Sequence, residues 1–425
     1  MPDRLLALRD NQRRDRAQGI YSVCSAGPLV LRAAMAQARD DGSPLLVEAT
    51  CNQVNQLGGY TGMTPPAFRD FALALAREGG LPADQIILGG DHLGPSPWKA
   101  EPAPAAMEKA GALVEAYVAA SFRKIHLDAS MRCAGDPDPL PEEVIAARTA
   151  TLCKRAERAH CSGPAPVYVI GTEVPAPGGA GGEEPTLRPT APADVERTLA
   201  ISHAAFCREG LEEAWERIIA VVVQPGVEFG DFDVHPYDRA QARRLSGAIA
   251  GRAPWMYEAH STDYQHPRAL RQLVEDRFAI LKVGPWLSFA CREALFALED
   301  VARELCWADP GRPAVPLRET LDRAMVNNPI HWRSHHRGTA QEQAFARRFS
   351  YSDRCRYYWT DPEVDAEVTQ LLDVLRAPIP AQLVSQHFPL ALDAVLEGSL
   401  TPDGRSLVTH AIRRVLGHYA AACRP

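Results

Sequence analysis

Short apolar, β-branched runs alternate along the chain with stretches whose apolar residues recur at helical spacing. The runs predict strands at Gly19–Ala26, Leu45–Thr50, Gln85–His92, Lys124–Ser130, Val167–Pro175, Ile218–Gly226, Trp255–Asp263 and Ala279–Pro285. The intervening stretches predict helices at Pro28–Asp40, Pro65–Glu78, Ala105–Ala120, Pro141–His160, Ala193–Glu209, Tyr237–Ala250 and Pro267–Asp276, with an eighth at Phe289–Leu305. In the second of these, Thr64 stands at the N-cap, Pro65 and Pro66 occupy the first turn, Phe68, Phe71, Ala72 and Leu75 share one face, and Gly79 ends the helix. Eight βα units with runs as apolar as IIAVVV imply a parallel sheet buried on both faces. The expected fold is therefore of the α/β class, a (β/α)8 TIM barrel.

Beyond residue 305 no strand pattern appears. Val364, Val368, Leu371, Leu372 and Leu375 put one apolar stripe on a helix at Pro362–Ala377, and further helices are expected at Leu317–Val326, Phe388–Glu397 and Asp403–Ala422. The expected organisation is a barrel over 1–305 with a helical extension over 306–425 packed on it. The Gly- and Pro-rich Ala176–Pro192 reads as a long exposed βα loop.

Composition narrows the partners. The 46 Lys and Arg against 53 Asp and Glu are spread without like-charge blocks, so nucleic acid is not an expected partner. The start, MPDRLLALRDNQRRDRAQG, has no apolar core of a signal peptide, and no run approaches membrane-spanning length, so a soluble cytoplasmic chain with no membrane partner is expected. Ten scattered cysteines without a C-x-x-C pair read as reduced thiols, Cys24 included. The absence of G-x-G-x-x-G after the first strand disfavours a dinucleotide fold.

In a barrel of this kind the site lies at the C-terminal strand ends, and these are polar. Strand 1 brings Ser22, Cys24 and Ser25; strand 2 Glu48 and then Asn52 and Gln53; strand 3 Asp91 and His92; strand 4 His126, Asp128 and Ser130; strand 5 Glu173. Strand 6 ends in Gln224 with Glu228 beyond, strand 7 carries Glu258, His260, Ser261 and Asp263, and strand 8 carries Lys282. Alternation puts His126, Asp128 and Ser130 on one side, and likewise Glu258 and His260. Burying such charges without compensation costs several kcal/mol each, which a metal or a bound polyol offsets. His92 and His260 with Asp91, Asp128, Glu173 and Glu228 suit a divalent metal with mixed N/O ligands, Zn²⁺ or Mn²⁺. Each of these residues also has a plainer role: a strand-end His as a hydrogen-bonded rim residue, Asp91 and Asp128 as holders of ring nitrogens or loop amides. Lys282 offers either a Schiff base or an ion pair with a barrel acid such as Glu258, and Gly58, Gly59 and Gly62 either a phosphate cradle or a flexible lid.

The segments SVCSAGPLV, EATCNQVNQLGGYTGM, ILGGDHLGPSPW, KIHLDASMRCAGDP, VIGTEVPAPGG, VVQPGVEF, YEAHSTDYQ, LKVGP and YSDRCRYYW, in order from Gly19 to Trp359, resemble the accessory (Z) subunit family of tagatose-1,6-bisphosphate aldolase. The resemblance implies a (β/α)8 barrel akin to class II sugar-phosphate aldolases. It implies either an epimerase acting at C4 between D-tagatose 6-phosphate and D-fructose 6-phosphate or a non-catalytic aldolase subunit; a kinase label used for some members meets no G-x-x-x-x-G-K-[ST] here. Partners would be a phosphorylated ketohexose and either further copies of the chain or a class II aldolase subunit.

By that resemblance Asp91 and His92 correspond to the aldolases' proton-handling Asp and zinc-binding His, His260 to a late-strand zinc His, and Glu173 to a mid-barrel Glu. Where the aldolases place another zinc His, strand 6 has Gln224-Pro225-Gly226, with Glu173, Gln224 or Glu228 as replacements. The expected site then has Asp91, Asp128 and Glu258 moving protons, His92, Glu173 and His260 holding Zn²⁺ or Mn²⁺, and Glu48, Asn52, Gln53, Gln224, Ser261, Asp263, Lys282, Gly284 and Ser288 binding substrate. Gly284 and Ser288 would hold a phosphate at the start of the eighth helix, with Arg354 and Arg356 as a second candidate.

Overall fold

A computed structural model describes residues 3–14, 16–171, 187–250, 255–309 and 311–424. Eight parallel strands close into a barrel: β1 (Ile20–Val23), β2 (Leu45–Thr50), β3 (Ile86–Leu93), β4 (Lys124–Leu127), β5 (Val167–Ile170), β6 (Ile218–Val223), β9 (Met256–Ala259) and β10 (Phe278–Val283). The remaining two, β7 (Glu228–Phe229) and β8 (Val234–His235), form a hairpin over the mouth side of β6 that the sequence pattern did not reveal, being only two residues each. β1, β4, β6, β9 and β10 end earlier than expected because the chain leaves the ladder where polar residues begin, whereas β2 ends as expected and β3 runs one residue further. Helix Pro65–Glu78 matches its expected bounds, with Thr64 at the N-cap position although its hydroxyl makes no capping bond.

Register explains how the barrel interior changes from apolar to charged. Ile20, Leu46, Ile87, Met256 and Ile280 belong to one buried cluster inside the barrel. Two residues further along the same strands, on the same side by the pleat, stand Ser22, Glu48, Gly89, Glu258 and Lys282. Apolar packing thus fills the lower half and ionic contacts the upper half. Leu5 and Leu8 of the N-terminal helix Arg4–Arg13 join the apolar cluster and plug the bottom. That helix escaped the sequence reading because charged residues outnumber its few leucines.

The extension holds more helices than expected. Ala340–Phe349 starts with a capping box, Thr339 with Glu342, a T-x-x-E signal present in the sequence; Ala381–His387 is a further short helix. The stretch read as one helix at Phe388–Glu397 is a 3-10 turn, Pro389–Ala391, followed by Leu392–Leu396. The last helix, Gly404–Cys423, lies against helices Pro28–Asp41, Pro267–Glu275 and Pro285–Ala308. Its Tyr419 hydroxyl donates to the Thr262 carbonyl at 2.7 Å, and the Cys423 carbonyl accepts from the Gly19 amide. Among the described residues no helix is long and apolar enough to cross a membrane.

Gly89 makes room for the ionic layer, since a Cβ there would stand 2.6 Å from Glu48 Oε1 and 2.8 Å from its Cγ. Glu48 cannot swing aside, being held by Ser22, Lys124 and Lys282. Gly89→Ala is therefore expected to destabilise the chain by about 1–3 kcal/mol despite the better strand propensity of alanine, as read by urea unfolding.

Candidate active site at the barrel mouth

The floor of the mouth is a chain of buried ion pairs. Lys124 Nζ lies 2.7 Å from both Glu48 Oε1 and Glu258 Oε2, and Lys282 Nζ contacts Glu48, Asp91 Oδ1 at 2.7 Å and Glu258 Oε1 at 3.8 Å. All are essentially inaccessible. Burial pushes the Lys282 ammonium toward its neutral form, but the carboxylates of Asp91, Glu48 and Glu258 outweigh it and hold the pKa well above the ordinary lysine value. Lys282 is thus an ion-pair partner, as one of its two sequence readings had it, and lacks the free amine of a Schiff-base lysine.

Above this floor three imidazoles gather. The rings of His92, His126 and His260 have centroids 4.8–5.3 Å apart. His92 Nδ1 lies 2.8 Å from Asp128 Oδ2, while Asp128 Oδ1 accepts from the Ser130 amide and hydroxyl. Burial opposes charge on His92, yet Asp91 and Asp128 together keep its pKa above the ordinary value. His260, by contrast, is lowered to about 3 by burial, so it is a neutral imidazole at neutral pH, with Nε2 3.0 Å from Glu258 Oε1. His92 and Ser261 both have positive φ, 49° and 53°, which turns the chain sharply at the ends of β3 and β9.

Asp91, His126, Glu258 and His260 each offer one ligand atom, all within 4.8 Å of one another, and can hold a metal ion. His126 itself argues for a cation there. Its Nδ1 is 3.2 Å from the His92 amide and 2.9 Å from Asp91 Oδ1, so one nitrogen faces both a donor and an acceptor, and its buried Nε2 has no hydrogen-bond partner among the described residues. The four buried carboxylates of Glu48, Asp91, Asp128 and Glu258 also exceed the two ammonium groups of Lys124 and Lys282. The donor set differs from the one expected from sequence. The clustered set includes His126, which the sequence reading did not assign to the metal, and does not include His92, whose Nδ1 pairs with Asp128; Glu173 lies outside the described residues, as does most of Ala176–Pro192. The signal for His126 was its alternation with Asp128 on β4.

A cavity opens above, lined among others by Asn52, Gln53, Asp91, His92, His260, Ser261, Asp263, Lys282, Gly284, Arg356 and Tyr357. Glu48, Asp128 and Glu258 lie beneath that lining. Gln224 is not in it: its Oε1 accepts from the Gly226 and Val227 amides and shapes the turn after β6. Glu228 sits on the hairpin, its Oε1 accepting from the Phe229 amide. The phosphate place expected at Gly284 and Ser288 is filled by protein. Asp263 Oδ1 accepts from the amides of Gly284 at 3.0 Å and Trp286 at 2.8 Å, and Ser288 donates to Asp353 at 2.6 Å. Burial pushes the Asp263 carboxyl up to about 6 despite these amides. Cys24 also lines the cavity, and burial pushes its thiol far up, so it is no nucleophile.

With this geometry in place, the comparisons are informative. A family model for the D-tagatose-1,6-bisphosphate aldolase subunit GatZ/KbaZ-like matches residues 5–424. The chain belongs to that family. A solved structure of a probable tagatose 6 phosphate kinase from Sinorhizobium meliloti 1021 is 46% identical, covering 96% of this chain and all of that one, with a TM-score of 0.88. The YdjI aldolase from Escherichia coli K12 is similar at 9% identity over 85% of this chain and 94% of that chain, TM-score 0.43. A putative fructose-1,6-biphosphate aldolase from Coccidioides immitis is similar at 14% over 88% and 98%, TM-score 0.44.

Two outcomes follow for this GatZ/KbaZ-like barrel. In a Zn²⁺ titration against a chromophoric chelator, His126→Ala and His260→Ala lower affinity more than about 100-fold and His92→Gln less than about tenfold; equal losses would return His92 to the donor set. The raised pKa of His92 means that its ion pair with Asp128 stabilises the fold fully below the unfolded value of about 6.5 and that this contribution is lost as pH rises through the higher folded value. In Asp128→Asn the His92 ring resonance, followed by NMR, titrates at lower pH than in the parent.

Proposed function

We propose that the chain is a ketohexose-phosphate C4 epimerase of the cytoplasm, interconverting D-tagatose 6-phosphate and D-fructose 6-phosphate by retro-aldol cleavage and re-addition. The observation that carries this reading is the buried Asp91, His126, Glu258 and His260 donor set, opening beside a carboxylate-backed histidine into the cavity at the strand ends.

The chemistry of the substrate selects the route. C4 of a 2-ketose is β to the carbonyl, so its C–H is not acidic, whereas its hydroxyl is placed for cleavage of C3–C4. A divalent cation held by Asp91, His126, Glu258 and His260, Zn²⁺ or Mn²⁺ by its mixed ligands, would supply Lewis-acid polarisation of the C2 carbonyl and C3 hydroxyl. Asp128 on Nδ1 fixes the His92 ring and leaves Nε2 to take the C4 hydroxyl proton as C3–C4 breaks. The bonding pair stays on the C1–C3 half as an enediolate, and the C4–C6 half becomes an aldehyde. Rotation of the aldehyde presents its other face; C3 adds back, and His92 returns the proton to O4. No electrons are gained or lost overall. Proton transfer thereby moves from Asp91, Asp128 and Glu258, the groups first expected to carry it, to His92, with Asp128 as its positioning residue. The Lys124 and Lys282 ammonium groups hold Glu48 in place and keep the Asp91 and Glu258 carboxylates ionised.

A second reading, a non-catalytic subunit that stabilises a class II aldolase, draws on the family description and on an exposed aromatic group, Phe232 on the hairpin loop with Phe345 and Phe349 on the neighbouring helix. The two readings part on one assay. The purified chain, loaded with Zn²⁺ or Mn²⁺ and free of any aldolase, is expected to convert tagatose 6-phosphate to fructose 6-phosphate, and His92→Gln to lower kcat at least about 100-fold. Complete inertness of the metal-loaded chain, with stimulation of a separate aldolase, would favour the subunit.

A further inference from the structure

The usual phosphate place of such a barrel is closed here by Asp263 and Asp353, so a phosphorylated sugar must be recognised elsewhere. Two Lys or Arg side chains line the cavity, Lys282 and Arg356. Lys282 is consumed by Glu48 and Asp91 on the floor. Arg356 comes from the far side, on the 3-10 segment Arg354–Tyr358 of the extension, and no carboxylate among the described residues forms an ion pair with it.

We infer that Arg356 and Tyr357 form the subsite for the phosphate monoester of the sugar, delivered to the barrel mouth by the C-terminal extension. The inference rests on the phosphosugar reading above and gives it a recognition element. Arg356 Nη1 donates to the carbonyls of Ser352 and of Asp353, the latter at 3.2 Å, and Nη2 donates to the Tyr357 hydroxyl at 3.0 Å. Of the five N–H donors of a guanidinium, those at Nε and the second at Nη2 are left without an acceptor among the described residues. These two donors suit two oxygens of a phosphate.

The surroundings are built to hold that fork. Asp353, at φ 44°, accepts from Arg292 Nε at 2.8 Å and from Ser288, which orients its own carbonyl and that of Ser352 toward Arg356. Asp231 accepts from the Ser350 and Ser352 hydroxyls at 2.6 and 3.0 Å and ties the segment to the hairpin. The Tyr357 ring stacks on His331 at 4.6 Å and meets Tyr60, from the Gly-rich loop after β2, edge-on at 4.6 Å. Arg354, buried behind, donates from Nη1 to the His331 carbonyl but has no carboxylate partner and an unpartnered Nε. A buried and a half-buried guanidinium without an anion are costly, and a phosphate dianion neutralises them.

Calorimetry on the intact chain tests this without relying on turnover. Fructose 6-phosphate is expected to bind at least about tenfold more tightly than fructose, with inorganic phosphate competing for the former. Arg356→Gln removes that preference, a loss of about 10- to 100-fold for fructose 6-phosphate, and leaves fructose binding unchanged; Arg356→Lys recovers part of it. Tyr357→Phe, which keeps the ring packing, lowers the preference by a smaller factor and serves if Arg356→Gln does not fold. A parent chain indifferent to the phosphate, or a folded Arg356→Gln or Tyr357→Phe that keeps the full preference, overturns the inference. A chain that prefers the phosphorylated sugar but never converts it overturns the epimerase reading and leaves the subsite standing.

Discussion

Everything at the barrel mouth depends on the contact of Lys124 and Lys282 with Glu48 and Glu258. Inside a barrel, an uncompensated carboxylate is driven to protonate or to leave. The two ammonium groups remove that pressure, and because each touches more than one carboxylate, no member can move alone. Lys282 extends the chain of contacts to Asp91, so the first residue of the upper layer is oriented by the last residue of the lower one. An apolar layer of Ile20, Leu46, Ile87, Met256 and Ile280 beneath keeps water from entering below. The dielectric contrast between the layers makes the ionic contacts strong enough to fix geometry.

The upper layer uses that fixed base to hold groups in conflict. His126 Nδ1 faces an amide and a carboxylate oxygen at once, and its other nitrogen is buried without a partner among the described residues. His92 adopts a left-handed backbone that a non-glycine residue reaches at some cost. Such strain persists where the surroundings over-determine it, and it gathers here with two imidazoles whose pKa values are pushed in opposite directions a few ångströms apart. The division of labour among them follows from their partners. His260 is neutral because burial wins, while Asp91 and Asp128 outweigh burial at His92 and raise its pKa above the ordinary value.

The extension completes what the barrel lacks. Asp353 closes the start of helix Pro285–Ala308 to anions and at the same time braces the segment bearing Arg354, Arg356 and Tyr357. One carboxylate thus moves the cationic recognition element from the strand-end rim to the opposite wall. The family's sugar-phosphate vocabulary and the cavity's chemistry meet at this wall rather than at the helix start.

Periodicity alone determined the eight strands, the helices between them and the polarity of the strand ends, because the pleat and the helical repeat are local properties that each segment carries by itself. Alternation also placed Glu258 beside His260, 3.0 Å apart. At β3 it said less: the register shifts between Gly90 and Leu93, the chain turns at His92, whose Nδ1 pairs with Asp128, and the clustered donor set includes His126. The same local reading named Arg356 as a second phosphate candidate but could not see that Asp263 and Asp353 occupy the helix start that it put first. Those contacts join residues far apart in the chain, and only closure of the barrel and docking of the extension bring them within hydrogen-bond distance. What the residues could do was written locally; which of them meet was decided by packing.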